Sequence, residues 1–244
     1  MIKGIATAAS GMLPSLKRQE VITNNLANAQ TAGFKRDRLF VERLNEAQEA
    51  IVPGAEDWGA TNQVGLAIDF APGSLNRTGN AMDVAISGDG FFAVQTPDGE
   101  RYTRNGHFSV DTDGTLQSAD GHAVLGDNGV IRLPAGEVSI NSDGQISVDG
   151  RLVDTLRIVR FDDPRVLVRG GSTIFEIGIP TVAPQDDNQS AIRQGFLEHS
   201  NVNTIEEMVN MITTFRFYEA DQRAIQMQDQ VQGRVVNELG RAPA

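Results

Sequence analysis

Three histidines, His107, His122 and His199, and two acidic pairs, Asp162-Asp163 and Asp186-Asp187, are the residue types from which a metal site or a general acid–base pair could be built. Their spacing builds neither. The histidines stand too far apart in the chain for ligand spacing, and each acidic pair lies near a proline, as solvated loops do. Asp111-Thr112-Asp113-Gly114 opens like a calcium loop but lacks the later ligands and the closing glutamate, so it reads as a hairpin turn. Gly170-Gly171-Ser172 reads as a turn, and neither a Gly-x-Ser-x-Gly elbow nor a phosphate loop occurs. Asn76-Arg77-Thr78 and Asn188-Gln189-Ser190 fit the glycosylation pattern by chance. The chain has no Cys, which removes disulfides, thiolate zinc sites and a Cys nucleophile. No catalytic residue, metal ligand or cofactor is therefore expected.

The polar constellation that stands out is of another kind. Asn24-Asn25-Leu26-Ala27-Asn28, followed by Thr31, Gly33, Phe34 and Lys35, places three asparagines within five residues at the end of a helical pattern. Asn is a poor interior helix former. Asn28 and Gly33 suit a helix C-terminus, with Lys35 near its negative end. Clustered asparagines also suit buried side chains that set register between helices. Composition alone leaves both readings open.

The elements that must position these residues form three zones. Residues 2–28 read as a helix with apolar or small residues at 3–4 spacing (Ile2, Ile5, Ala9, Met12, Leu16, Leu26), weakened at Gly11 and interrupted or kinked at Pro14. Residues 35–52 carry mixed helical periodicity, and 53–74, which hold the sole tryptophan, Trp58, read as an irregular crossing segment. From 75 to 182, dipeptides such as Asp98-Gly99, Asp120-Gly121, Asn128-Gly129 and Asp149-Gly150 separate short β-prone runs, which predicts an antiparallel all-β domain. Residues 183–192 read as a linker. Residues 204–239 read as one long helix, with Thr204 as N-cap, Glu206 and Glu207 in its first turn, and a seam of Met208, Met211, Phe215, Tyr218 and Ile225 broken by polar residues.

The fold expected is α+β: a central antiparallel all-β domain, with N- and C-terminal helices pairing as a coiled coil because no other helix can cover their apolar stripes. Composition agrees with a folded chain: 244 residues, 40% hydrophobic, 22% charged. The net charge of −11 argues against a nucleic-acid binder. It is uneven, since residues 1–45 carry seven basic and three acidic residues, which suggests contacts specific to the ends. No apolar run approaches the roughly 20 residues that span a bilayer. The start, Met1-Ile2-Lys3-Gly4, lacks a basic region followed by an apolar core, so no cleaved secretory signal is expected.

Three ordered blocks resemble the flagellar basal-body rod and hook family. The first is Asn24–Lys35. The second runs from Gly73 to Gly126, with Thr78-Gly79-Asn80, Asp83-Val84-Ala85-Ile86, Gly88-Asp89-Gly90-Phe91-Phe92 and Tyr102-Thr103-Arg104-Asn105-Gly106. The third runs from Gly195 to Ala220, with Ser200-Asn201-Val202-Asn203, Glu207-Met208, Met211-Ile212 and Tyr218-Glu219-Ala220. The opening Gly4–Met12 and the short length resemble the proximal-rod branch. The distal-rod branch, the alternative, usually has a Trp where this chain has Ala6, and Asp221 stands where the family often has Asn.

The resemblance implies an axial structural subunit of the rod, not an enzyme. It would be located in the flagellar basal body, where the rod spans the periplasm and transmits torque. It implies export through the flagellar type III apparatus, and assembly with copies of itself and with neighbouring proximal and distal rod proteins. Terminal segments would order on assembly. The domains expected are paired terminal helices over 1–34 and 193–244, an irregular or extended connection over 35–74, the β domain over 75–182 and the linker over 183–192. The assembly interface expected is Ile5, Ala9, Met12, Leu16, Asn24, Asn25, Leu26, Asn28, Gly33 and Phe34 from the first end. From the other end it takes Asn201, Asn203, Met208, Met211, Ile212, Phe215, Tyr218 and Ile225. The rival reading is a stand-alone periplasmic binding or glycan-processing β domain with helical arms. It lacks a convergent acid, base and nucleophile.

Overall fold

The computed structural model describes residues 2–43, 62–178, 182–187 and 189–239. Side chains are described from Pro14 in the first helix, and as far as Met227, with Gln230 and Val231, in the last. The environments of Ile5, Ala9, Met12 and Trp58 lie outside the described residues. The chain divides into two compact units, one of Met1–Ala27, Asp37–Ala67 and Asn203–Ala244, the other of Asn28–Arg36 and Ile68–Val202.

The first unit holds both helices, α1 (Ile2–Ala27) and α2 (Thr204–Leu239), which pack against each other. Helix α1 runs through Pro14 without ending there, although proline removes one helix hydrogen bond. Helix α2 has 36 residues, about 54 Å at 1.5 Å per residue. Its N-cap is Asn203, not the expected Thr204. The Asn203 Oδ1 accepts from the N–H groups of Ile205 (3.1 Å) and Glu206 (3.3 Å), which makes Thr204 the first helical residue. Arg36–Arg43 is a strand paired with Asn62–Asp69, inside the stretch read as an irregular or extended connection with mixed helical periodicity. A cross-strand partner about 25 positions away overrides a weak local preference.

The second unit is antiparallel β. Its largest sheet has ten strands, ordered Leu167–Arg169, Ile174–Ile177, Gly99–Thr103, Phe91–Thr96, Ala123–Gly126, Leu116–Ser118 and Phe108–Val110 along the main path. Gly129–Val130, Ile158–Arg160 and Gln185–Asp186 attach beside it. The turn dipeptides close hairpins as their chemistry requires. Asp149 (φ 51°) and Gly150 (φ 76°) are both left-handed and join Gln145–Val148 to Arg151–Thr155, the pattern of a type I′ turn. Two late strands return to early ones: Ala191–Gln194 pairs with Val84–Ser87, and Phe196–Glu198 with Leu75–Arg77. Part of the stretch read as linker is thus strand.

Alternation along Phe91–Thr96 divides the core. Phe92 and Val94 face one cluster with Val84, Phe108, Leu116, Val124 and Ile146. Phe91 faces the other, with Tyr102, Val159, Phe161, Leu167 and Phe175. Edge-to-face pairs mark each side, Phe92–Phe108 at 5.1 Å and Phe91–Phe175 at 5.9 Å between centroids. The sheet is covered on both faces, so adjacent phenylalanines are both buried.

Candidate assembly interface

The asparagine cluster does its work at the end of α1. Asn25 is buried inside the first unit. Its Oδ1 accepts from the N–H of Asp37 at 2.9 Å, and its Nδ2 donates to the Asp37 carbonyl at 2.9 Å and to Glu207 Oε1 at 3.2 Å. One amide thus pairs with both backbone groups of Asp37, as a residue of a neighbouring strand would, and reaches the first turn of α2. Asn24 adds a bond from its Nδ2 to Asp37 Oδ2 at 3.0 Å. Asn25 therefore sets register between segments 182 residues apart. Asn28 takes the turn role: its carbonyl accepts from Thr31 N–H at 3.1 Å, just past the helix end. Both readings of the cluster hold, on different residues.

The rest of the N-terminal block, 28–36, belongs to the second unit and closes on a buried ionic cluster. Lys35 Nζ lies 2.6 Å from Glu198 Oε1 and donates to the Ala71 carbonyl at 2.9 Å. Arg104 Nη1 lies 3.4 Å from Glu198 Oε2, and Gly73 N–H donates to Glu198 Oε1 at 2.8 Å. All three charged side chains are at most 3% exposed. Burial holds the Lys35 ammonium below its ordinary pKa, with Glu198 working against that shift. Burial likewise lowers Arg104, again opposed by Glu198. Arg104 also lies over the Phe91 ring, 4.9 Å from its centroid.

Neighbouring residues fix this cluster. Gly33 adopts φ +68° and its N–H donates to the Glu198 carbonyl at 2.8 Å. A Cβ there would stand 2.3 Å from Asn105 N and 2.4 Å from Arg104 C, so only glycine fits. Phe34 is fully buried beneath the Arg169 guanidinium, 4.5 Å from its ring centroid. Asn201 accepts from Arg36 N–H at 2.7 Å and donates to the carbonyls of Asp69 (2.8 Å) and Ala71 (3.0 Å). Residues from all three sequence blocks, Gly33 to Lys35, Arg104 and Glu198 to Asn201, thus meet in one place.

Helix α2 carries two stripes. Glu207, Met211, Thr214, Tyr218, Asp221 and Ile225 follow 3–4 spacing and are buried or half-buried. Ile205, Met208, Val209, Ile212 and Phe215 lie on another side and are each at least half exposed. The single expected seam is split: Met211, Tyr218 and Ile225 are covered, whereas Met208 and Phe215 are not. Met208 and Met211 are three residues apart, about 60° around the helix, and one neighbouring helix covers only part of that arc. Leu16 on α1 is also exposed, while Leu26 is half-buried.

Of the interface residues expected, Asn25, Gly33 and Phe34 are buried within their own units, and Asn203 caps α2. Met208, Ile212, Phe215 and Leu16 face outward. Sequence reasoning missed Lys35, Glu198, Glu207 and Asp37 as partners. For Lys35, Glu198 and Glu207 the one signal was an ionisable residue beside Gly33-Phe34, Phe196-Leu197 and Met208; Asp37, between Arg36 and Arg38, gave none. Arg104 pairs with Glu198, Asp83 Oδ1 lies 2.7 Å from His107 Nδ1, and Tyr102 is core. Asp111–Gly114 forms a turn, closed by the Gly114 N–H to the Asp111 carbonyl at 2.9 Å. Among the described residues no three His, Asp or Glu side chains are grouped to hold a metal, and no helix is long and apolar enough to cross a membrane.

Family models match along the chain: "Flagella basal body rod protein" over residues 5–35, "Flagellar hook protein FlgE/F/G D1 domain" over 85–148, and "Flagellar basal body rod FlgEFG protein C-terminal" over 193–239. The chain is 32% identical to the flagellar basal-body rod protein FlgG of Bacillus subtilis, over 97% of this chain and 99% of that one. It is 32% identical to FlgF of Caulobacter vibrioides, over 93% and 94%. It is 35% identical to FlgF of Escherichia coli, over 96% and 97%.

Proposed function

Because the chain belongs to the flagellar basal-body rod family, and is a structural subunit of the rod rather than an enzyme, we propose that it sits in the proximal rod and polymerises through its terminal helices. Its place is the flagellar basal body, where it assembles with other rod subunits. The observation that carries the mode of assembly is the second stripe of α2, Ile205, Met208, Val209, Ile212 and Phe215, large apolar side chains at helical spacing left half exposed. In the assembled rod this stripe packs on helices of neighbouring subunits, copies of this chain among them, while α1 and α2 pair as a coiled coil within the subunit. Leu16 extends the same layer on α1, and Ile5, Ala9 and Met12 are the further interface residues that the sequence spacing offers on that helix. Asn24, Asn25, Leu26 and Asn203 hold the ends of the two helices within the first unit, and Asn28, Gly33, Phe34 and Asn201 order the second unit.

Full burial of such a side chain contributes about 1.5–3 kcal/mol, and roughly half of each is still to be covered. Five of them supply roughly 5 kcal/mol gross per contact, before the ordering entropy of the helices is subtracted. Such an interface is weak for one pair and strong only when repeated, which suits a polymer built from subunits exported singly through the type III apparatus. The test is to replace Ile212 or Phe215 by Asp and follow rod incorporation and swimming. Both are expected to be lost while the β unit within the purified full-length variant keeps its stability, and normal motility in either variant refutes the interface.

The proximal position draws on the Gly4–Met12 opening and on Ala6. The distal-rod reading draws on the FlgG of Bacillus subtilis, which aligns along its whole length. Complementation separates them: expression in strains lacking either the proximal or the distal subunit is expected to restore swimming only in the former.

A further inference from the structure

The chain contains two Asn-Gly dipeptides, Asn105-Gly106 and Asn128-Gly129, and the fold treats them oppositely. In an Asn-Gly pair the glycine backbone nitrogen can attack the asparagine side-chain carbonyl, because no side chain on the glycine obstructs the approach. At Asn105 the surroundings prevent this. Its side chain is buried, its Oδ1 accepts from His107 N–H at 3.1 Å, and its own N–H donates to Thr103 Oγ1 at 3.0 Å. A Cβ on Gly106 would fall 1.7 Å from the Val84 carbonyl oxygen, which shows how tightly that peptide is enclosed.

Asn128 stands exposed at the tip of the hairpin that joins Ala123–Gly126 to Gly129–Val130. Gly129 has φ +103°, and an added Cβ would meet nothing within 4 Å. A hydrogen bond from the Asn128 amide runs from Nδ2 to Asp154 Oδ1 at 3.0 Å, in a turn with open space around Gly129.

We propose that Asn128-Gly129 is a site of spontaneous deamidation in the folded protein, and that Asn105-Gly106 is protected. The Gly129 nitrogen loses its proton to solvent and bonds to the Asn128 Cγ. The Cγ–Nδ2 bond breaks, and the nitrogen leaves as ammonia after taking up a proton. Water then opens the cyclic imide at either carbonyl, giving Asp or isoaspartate at position 128. Water is the only reagent consumed. The product replaces the amide donor with a carboxylate facing Asp154, which is buried and also accepts from Thr155 N–H at 2.8 Å. Isoaspartate lengthens the backbone by one methylene in a turn whose register pairs Gly126 with Gly129. Both products loosen the hairpin tip and add negative charge to it.

The test incubates the full chain at mildly alkaline pH in heavy-oxygen water and maps its peptides by mass spectrometry. The Asn128 peptide is expected to take up heavy oxygen and split into Asp and isoaspartate forms. The Asn105 peptide is expected to react at least about a hundredfold more slowly, since it must wait for local opening. In urea the two converge. An Asn128→Gln chain should show no product at this position. The proposal is overturned if Asn128 stays intact in the folded chain while it reacts in urea, or if folded Asn105 reacts as fast as Asn128.

Discussion

Removing Lys35, one arm of the buried cluster, tests whether the three sequence blocks are held together by charge. In Lys35→Met the methionine fills most of the same volume, but Glu198 Oε1 keeps only the Gly73 N–H at 2.8 Å, and Oε2 keeps Arg104 at a long 3.4 Å. Breaking a buried pair by removing one partner costs about 3–5 kcal/mol. The surviving Arg104 places Lys35→Met near the lower end. Glu198→Gln leaves two cations, each at most 3% exposed, without their anion, and falls near the upper end. For a chain of this size 1 kcal/mol shifts Tm by about 2–4 °C, so these variants should melt about 6–20 °C lower. The triple variant Lys35→Met, Glu198→Leu, Arg104→Met carries no buried charge there, and should fall within about 1 kcal/mol of the parent or above it. Urea unfolding of the full-length chain, followed by circular dichroism and by exchange of the β-unit amides, reads the three variants and the parent. If each single variant costs under about 1 kcal/mol, or the triple costs as much as the two single variants together, unpaired charge is not the cause and the reasoning fails.

Two further outcomes follow from the second unit. Burial, helped by Glu100, pushes the Tyr102 phenol up from 10.0 to about 12. A folded-state pKa above the unfolded one gives stability that is complete below pH 10 and lost as pH rises toward 12. Up to roughly 2.7 kcal/mol is at stake over those two units, so Tyr102→Phe should flatten the alkaline decline. The chain has two tyrosines, so phenolate absorbance in a Tyr218→Phe background reports Tyr102 alone, and a midpoint near 10 refutes the shift. Gly33→Ala should cost on the order of 3 kcal/mol, because strain at φ +68° adds to a 2.3 Å approach to Asn105 N. Gly121→Ala, at φ +79° with nothing within 4 Å, should cost about 1 kcal/mol in the same melts. Equal losses in the two would mean the close packing at Gly33 is irrelevant.

Features written in local chemistry were the ones legible from sequence. The turn dipeptides announced the antiparallel body, and the flanking 3–4 patterns announced α1 and α2. Arg36–Arg43 escaped because its strand character comes from pairing with Asn62–Asp69, which no local window contains. Ala191–Gln194 escaped because Pro184, Asp186 and Asp187 dominate the composition around it, while its ladder lies on Val84–Ser87. The cap fell one residue early because Asn203 and Thr204 are both good caps, and only backbone direction chooses between them. The split of the α2 seam depends on how wide an arc its neighbour covers, a property of two helices. Lys35 and Glu198 are 163 residues apart, and each alone looks like an ordinary surface charge.

That separation governs when the β unit can close. Its N-terminal segment is anchored on Glu198, and its early strands Leu75–Arg77 and Val84–Ser87 take their ladder partners from 191–198. A nascent chain that has emerged only to residue 180 has the central hairpins but lacks both closing strands and the anion for Lys35 and Arg104. Loops this long close slowly, and the entropy is lost before any contact compensates it. Completion of the unit is therefore tied to the last quarter of synthesis, and a chain truncated before Ala191 lacks the anion for Lys35 and Arg104 and leaves Leu75–Arg77 and Val84–Ser87 without ladder partners.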